Sequence, residues 1–245
     1  CKVYAAEEKI GSVTEIVGSV IAINTKGNER ELNIFDPIFL NDELFVAERS
    51  FLTVQYKDST TIILKELPSF SVNDFEKSTV KTKFKGNLKE GKIVIESGSI
   101  AKNSNGEMMI DLSNMILGIR GTRLTVTNIK KKRSSEAGLA KDSFGNVGEI
   151  LISTENQTTS LSSSEQIVEI TEESVMSQRE QTEDEKEELE SVSETLIETS
   201  KIDEDELEKK LEEKLQKGKL EDANNDGIVD QFDIDIAKEN IKSDK

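Results

Sequence analysis

The sequence predicts a mainly β protein, a sandwich or solenoid of short strands, followed by an acidic and partly helical C-terminal region. Three observations predict it. Apolar and polar residues alternate in short runs from Ile10 to about Thr171, with Gly, Asn or Ser turns between the runs. No helix of ordinary length is needed in that stretch, and its two prolines, Pro37 and Pro68, fall beside loop positions. The charge is also unevenly placed: residues 1–170 carry 21 basic and 23 acidic side chains, whereas 171–245 carry 11 and 26.

The strands follow from the alternation. Val13, Glu15 and Val17 alternate with Thr14 and Ile16, and Val20–Ile23 runs into the turn Thr25-Lys26-Gly27-Asn28. Phe51–Leu64 is the clearest hairpin. In it Leu52, Val54 and Tyr56 alternate with Thr53 and Gln55, Lys57-Asp58-Ser59 turns, and Thr61–Leu64 returns. Further strands are expected at Lys92–Glu96, Met108–Leu112, Thr122–Thr127, Val147–Ser153 and Gln166–Ile170. Many short strands at this spacing are the mark of an all-β domain. The domain is expected over 10–171, preceded by a short leader or anchor segment at 1–9.

From 172 to 202 the chain is rich in Glu, Ser and Thr, lacks aromatics, and reads as a solvated linker with a thin stripe of Leu189, Val192, Leu196 and Ile197. A helix is expected over Asp203–Lys217, with Leu207, Leu211 and Leu215 on one face and Asp203 as its cap, and Gly218 ends it. Residues 203–245 are thus expected to form a helix, a loop and a second helix.

Composition excludes several chemistries. With no His, imidazole triads and His-ligated metals are absent, and a single Cys allows neither an internal disulfide nor a thiolate cluster. A net charge of −17 argues against nucleic acid as partner. Cys1 has three readings: the acylated first residue of a bacterial lipoprotein, a residue of a signal whose tail Val3-Tyr4-Ala5 is cleaved before Ala6, or an arbitrary edge. The first two place the chain outside the cytoplasm, as periplasmic, lipid-anchored or secreted.

Two motif matches are decoys. Gly86-x-x-x-x-Gly91-Lys92 resembles a phosphate loop, but Ile93 stands where a magnesium-binding hydroxyl is required and the next residues read as a strand, so a turn is expected. Ser99-x-x-Lys102 lacks the partner motifs of a serine–lysine enzyme. Lys130-Lys131-Lys132-Arg133 reads as an exposed loop tip. No nucleophile–base constellation emerges, and the chain is read as non-enzymatic.

Two signals remain. In Gly118-Ile119-Arg120-Gly121-Thr122 an Arg between glycines suggests a tight β corner, with the Arg120 donors set against carbonyls or a carboxylate. The order Gly11-Ser12-Val13, Gly18-Ser19-Val20, Leu32-x-x-x-Asp36, Asn41-Asp42, Val54…Asp58-Ser59…Ile62, Gly98-Ser99-Ile100-Ala101-Lys102 and this corner resembles the FecR domain family over about residues 10–170. Ser59 stands where that family usually has Gly, and Phe35 where Gly often precedes Asp36. The resemblance implies a compact β module without enzymatic activity. In the best-known members it relays a receptor signal in the periplasm through a membrane helix to an anti-sigma segment.

The second signal is Asp222-Ala-Asn224-Asn-Asp226-Gly227-Ile228-Val229-Asp230-Gln-Phe-Asp233. Its oxygens fall at positions 1, 3, 5, 9 and 12 of a Ca2+ loop, with the Ile228 carbonyl at 7 and the required Gly at 6. Asp at position 12 resembles a dockerin-type loop. The combined expectation is an exported binding or scaffold protein with a protein partner in the cell envelope, or else the sensor component of a regulatory pair.

Overall fold

The computed structural model describes residues 8–78, 81–171, 175–187 and 189. Cys1, the expected linker beyond Leu189 and the whole 203–245 region, with Asp222, Asn224, Asp226, Ile228, Asp230 and Asp233, lie outside the described residues. The expected mainly β class is what the structure shows: among the described residues, a single mixed sheet of 16 strands.

The sheet is organised by one long hairpin. Strand β6 (Phe51–Tyr56) turns at Lys57–Ser59 into β7, which runs without a break from Thr61 to Lys77, and β8 returns over Thr82–Glu96. The first half of β7 pairs with β6, and β6 with β1 (Lys9–Val17), which also pairs with β4 (Pro37–Phe39). The second half pairs with β5 (Glu43–Val46), then β2 (Val20–Ile23) and β3 (Glu29–Glu31). The other side of β8 is divided the same way. Its end, Gly91–Glu96, pairs with β11 (Arg123–Ile129), followed by β12 (Ser134–Ala140), β15 (Gln166–Ile170) and β16 (Met176–Glu180). Its start, Thr82–Asn87, pairs in parallel with β9 (Gly106–Asp111), followed by β10 (Ile116–Arg120), β13 (Glu149–Ser153) and β14 (Thr158–Leu161).

The hairpin is folded back on itself, so that its two halves belong to two facing layers. Fifteen straight residues would span about 46 Å. Yet the link from Glu96 to Gly106, which includes the one-turn helix α1 (Ser99–Lys102), reaches at most about 36 Å. β9 can lie beside the start of β8 only if β8 is bent. The bend falls where the β7–β8 register shifts between Lys65 and Phe70. There Leu67 has φ +56°, and Gly91 has φ +93° with no room for a Cβ, whose ideal position is 2.5 Å from the Pro68 Cα. At the opposite end Lys77 Nζ donates to the Lys57 carbonyl at 2.7 Å, and Tyr56 meets Phe84 edge to face. Between the layers lies one core, with Leu52, Leu64, Ile93, Val126, Ala137 and Val168 from one layer and Phe70, Phe84, Ile110, Leu117 and Ile150 from the other. This is a sandwich in which one sheet supplies both layers, rather than a solenoid.

Asn128 closes the bend chemically. Its Nδ2 donates to the Leu88 and Lys89 carbonyls, both at 2.9 Å, just where β8 leaves its ladder. Its Oδ1 accepts from Ser135 Oγ at 3.0 Å.

Two expectations are corrected here. Gly86 and Gly91 both lie inside β8, so the decoy phosphate loop is a bent strand and not a turn: the bend borrows a glycine without breaking the ladder. The sequence after the basic run forms β12, whose Ala137 and Leu139 face the core. The β region also extends past 171, because β16 pairs along β15 before a helix begins at 183. Thr182 and Glu185 cap that helix reciprocally, the Thr182 N–H donating to Glu185 Oε2 at 2.7 Å and the Glu185 N–H to Thr182 Oγ1 at 3.3 Å. The run Lys130–Lys132 is an exposed helical turn at the β11–β12 tip, closed by Arg133 at φ +45°.

Candidate functional site

The two glycine-containing motifs meet. β8 ends at Glu96, and Ser97 then exchanges hydrogen bonds with Thr122: the Ser97 N–H donates to the Thr122 carbonyl at 3.1 Å, and the Thr122 N–H to Ser97 Oγ at 2.7 Å. Thr122 is fully buried and its hydroxyl donates to the Ala140 carbonyl at 3.1 Å. Gly98 lies on the β6–β7 turn so closely that a Cβ would stand 2.2 Å from the Asp58 carbonyl oxygen. The Gly98 N–H donates to Thr60 Oγ1 at 3.0 Å, the Thr60 hydroxyl to Asp58 Oδ2 at 2.7 Å, and the Ser99 N–H to the Asp58 carbonyl at 2.7 Å. One junction therefore holds turn 57–60, α1, the Gly118–Thr122 corner and the end of β12.

Within Gly118–Thr122 the roles divide. Ile119 is in the core. Gly121, at φ +52°, makes the corner, and a Cβ on it would come within 3.3 Å of Lys102 Cγ. Gly118 is not tightly packed, since its nearest neighbour would be Leu151 Cβ at 3.7 Å. Arg120 differs from the sequence expectation. It is exposed, and among the described residues its guanidinium has no carbonyl or carboxylate partner. The reason is the period of the strand: Ile119 faces inward, so Arg120 must face out.

The buried cation is instead Arg123, three residues later. Its side chain is 4% exposed, and its Nε donates to Glu96 Oε2 at 2.7 Å. Nη2 donates to Ser143 Oγ at 3.0 Å, and the Ser143 N–H and hydroxyl donate to Glu96 Oε1 at 3.0 and 3.2 Å. The 141–148 loop after β12 is thereby tied to the sheet. Asp142 orders the loop further: Oδ1 accepts the N–H groups of Phe144 (2.9 Å) and Asn146 (2.8 Å), and Gly145 takes φ +81°. Gly148 then fits under the corner, with a hypothetical Cβ 2.0 Å from the Arg120 carbonyl oxygen. Phe144, at the tip, is 81% exposed, and Lys102 Nζ lies 5.6 Å from its ring centre.

The electrostatics here are structural. Burial pushes the Asp58 carboxyl above its ordinary range, against the opposing hydrogen bonds from Thr60. Burial likewise raises the Tyr56 phenol, helped by Asp58 and then Asp42, and its hydroxyl has no hydrogen-bond partner among the described residues. Ser99 and Lys102 share the single turn of α1, and Lys102 Nζ sits 3.8 Å from Asp142 Oδ2, an ion-pair position rather than that of a general base. Elsewhere Arg30 bonds to buried Asp42 and to the Pro37 carbonyl, and Arg179 joins Glu169 to Glu185.

Sequence reasoning missed Arg123, Glu96, Asp142 and Phe144. The string Asp142-Ser-Phe-Gly145-Asn146 does carry a turn signal, Asp followed by Gly at a positive φ. Nothing in it shows that the turn abuts Gly121. No family model matches the chain, and no curated protein matches it either. Among solved structures, two crystal structures of "a putative anti-sigma factor" from Parabacteroides distasonis ATCC 8503 are similar to it. They share 8% and 9% identity, with TM-scores of 0.47 and 0.46. In each case the match covers 57% of this chain and 59% of the other, so the chain spans less than two thirds of those proteins.

Proposed function

We propose that this chain is a non-enzymatic protein-binding module acting outside the cytoplasm, stiffened at one surface to hold a partner. One observation carries this reading. The buried polar groups of the junction, Asp58, Arg123 and Asp142, and the partly buried Glu96 spend their hydrogen bonds on ordering surface turns and loops. A site built this way fixes shape; a hydrolytic site would need a base, carboxylate or amine, left free to take a proton from a nucleophile.

Two forms of the module are distinguished by the partner. In one it is a scaffold of the envelope; in the other it is the sensor part of a regulatory relay, the role implied by the likeness of its motifs to FecR domains. The test is quantitative cross-linking of the full chain in its native envelope, followed by saturable, reciprocal binding of the purified partner. A membrane receptor or a regulatory protein as partner supports the relay, and a wall or surface component supports the scaffold. The absence of any saturable partner overturns both. The loop Asp222–Asp233 is proposed to bind Ca2+ through Asp222, Asn224, Asp226, the Ile228 carbonyl, Asp230 and Asp233, a structural role suited to a calcium-rich exterior.

A further inference from the structure

We propose that the outer face of the layer holding β6, β11, β12 and β15 is a docking face for the chain's own segment 190–194, which carries on the helix begun at 183 and lays Val192 over Val94. This role does not depend on the protein-binding reading above. It takes part of the acidic stretch out of solvent and makes it a strap over the sheet.

Apolar residues are buried on the wrong side of the sheet. Among the described residues, Ile63, Val94, Ala140, Ile167 and Leu189 are buried but do not belong to the core between the layers. Alternate residues of a strand face opposite ways. Ile62 and Leu64 are in the core, so Ile63 faces outward, as do Val94 between Ile93 and Ile95 and Ile167 beside Val168. The ladders join such outward positions into one row across six strands: Thr53, Ile63, Val94, Thr125, Gly138 and Ile167. Thr53 is 0% exposed, Ile63 and Val94 1%, and Ile167 2%. The Thr125 hydroxyl in the same row is buried without a partner among the described residues. A solvated outer face would leave these side chains open to water. The row is buried within one copy of the chain, so a second copy is not needed to cover it.

The last described residues give the strap its starting point and direction. Just after β16, Gln181 Nε2 donates to the Leu139 carbonyl of β12 at 2.8 Å, and a Cβ on Gly138 would stand 3.4 Å from the same nitrogen. Gly138 faces outward, so Gln181 lies on the outer side. Two turns on, buried Leu189 lines one cavity with Ala140 of β12 and Arg123 of β11. The helix thus advances from β12 toward β11, and the next strand is β8. A helix rises about 1.5 Å per residue and strands lie about 4.8 Å apart, so three more residues carry it about one strand further. Three residues after Leu189 is Val192, on the same helix face, and the outward residue of β8 in the row is Val94. With side chains a helix is about 10 Å across, wide enough to shade Ile63 on β7 as well. Glu and Ser fill every other position of 187–194, as on the solvent side of an amphipathic helix.

The test is methyl NMR of the full chain with its Ile, Leu and Val methyls labelled. Cross-relaxation from Val192 to Val94 is expected, and it should persist when the labelled chain is diluted into unlabelled chain. A thiol probe supplies the second measurement, in a Cys1→Ser background that leaves no native thiol. Val94→Cys should react slowly with a maleimide. Adding Val192→Asp should speed that reaction by roughly tenfold or more, since an unpaired carboxylate cannot stay buried. A core thiol from Ala137→Cys should stay protected in the Val192→Asp background. Cross-relaxation lost on dilution would give the face to a second copy. Fast labelling of Val94→Cys alone would leave the face bare, and slow labelling without any Val192 contact would mean that another segment covers it. Each of these overturns the strap while leaving the protein-binding reading untouched.

Discussion

Tyr56 and Phe84 meet edge to face, their ring centres 5.1 Å apart and their planes at 85°, although Tyr56 ends β6 and Phe84 lies near the far tip of the β7–β8 hairpin. Phe75, which pairs with Phe84 across that hairpin, completes the cluster at 5.9 Å. The contact exists only because the hairpin is bent double. Phe84→Ala is expected to cost about 3–5 kcal/mol, the usual loss for a buried phenylalanine. Tyr56→Phe should be neutral or raise the melting temperature by a few degrees, because the hydroxyl it removes is buried without a partner. Thermal melts of both variants check this, and a marked loss for Tyr56→Phe would mean that the hydroxyl is satisfied.

Asn128 is expected to control the bend. Asn128→Asp keeps the shape but removes both donors from the Leu88 and Lys89 carbonyls and puts a carboxylate against them. The expected loss is about 2–4 kcal/mol, visible as a lower urea midpoint with an unchanged slope. An unchanged midpoint would mean that the bend holds itself.

Ser59 has φ +66° in the β6–β7 turn, and Phe35 has φ +68° just before Asp36. Both are left-handed positions that favour glycine. Ser59→Gly should stabilise the chain by about 0.5–1 kcal/mol, the relief of left-handed strain less the added freedom of the unfolded chain. Ser59→Val should destabilise it. Denaturant titration of both variants decides the sign.

Arg179 donates to both Glu185 oxygens, at 2.8 and 2.9 Å, and to Glu169, which holds the Glu185 carboxyl down to about 2. A depressed carboxylate contributes stability above its unfolded pKa of about 4.3 and loses it as the pH falls toward 2. Asp58 and Glu136 act in the opposite sense: burial raises both, so their unfavourable contribution grows as the pH rises through the carboxylate range. Loosening at pH 2–4 should therefore begin at β16 and the 183–187 helix. Hydrogen exchange should show those amides losing protection before those of β6 and β7, and Glu185→Gln should remove most of the pH dependence there. Simultaneous loss of protection in both regions would refute the assignment.

Calcium titration of the full chain by calorimetry should give a binding heat that Asp222→Ala with Asp226→Ala abolishes, with a dissociation constant on the order of 10⁻⁴–10⁻³ M, as in extracellular single-loop modules. Magnesium should compete poorly, because it demands octahedral geometry and gives up water reluctantly. Equal heats for the two proteins would leave an acidic turn.

Local alternation by itself determined the β class, the Phe51–Leu64 hairpin and the span of β15, because in a strand the side-chain period and the buried face are both set by neighbours in sequence. It also marked Gly121 as a corner. Only the tertiary structure decided that β7 and β8 continue through Pro68 and Gly91 into a second layer. A bend and a turn use the same residues, and what separates them is whether Asn128, about 40 residues away in sequence, reaches the freed carbonyls. The same holds for the two arginines of the site. Arg120 ends β10 and Arg123 opens β11 on the other side of the Gly121 corner, and which of the two is covered depends on Glu96 and Ser143 arriving from elsewhere in the chain. Burial of a charge is decided by partners that no local pattern contains.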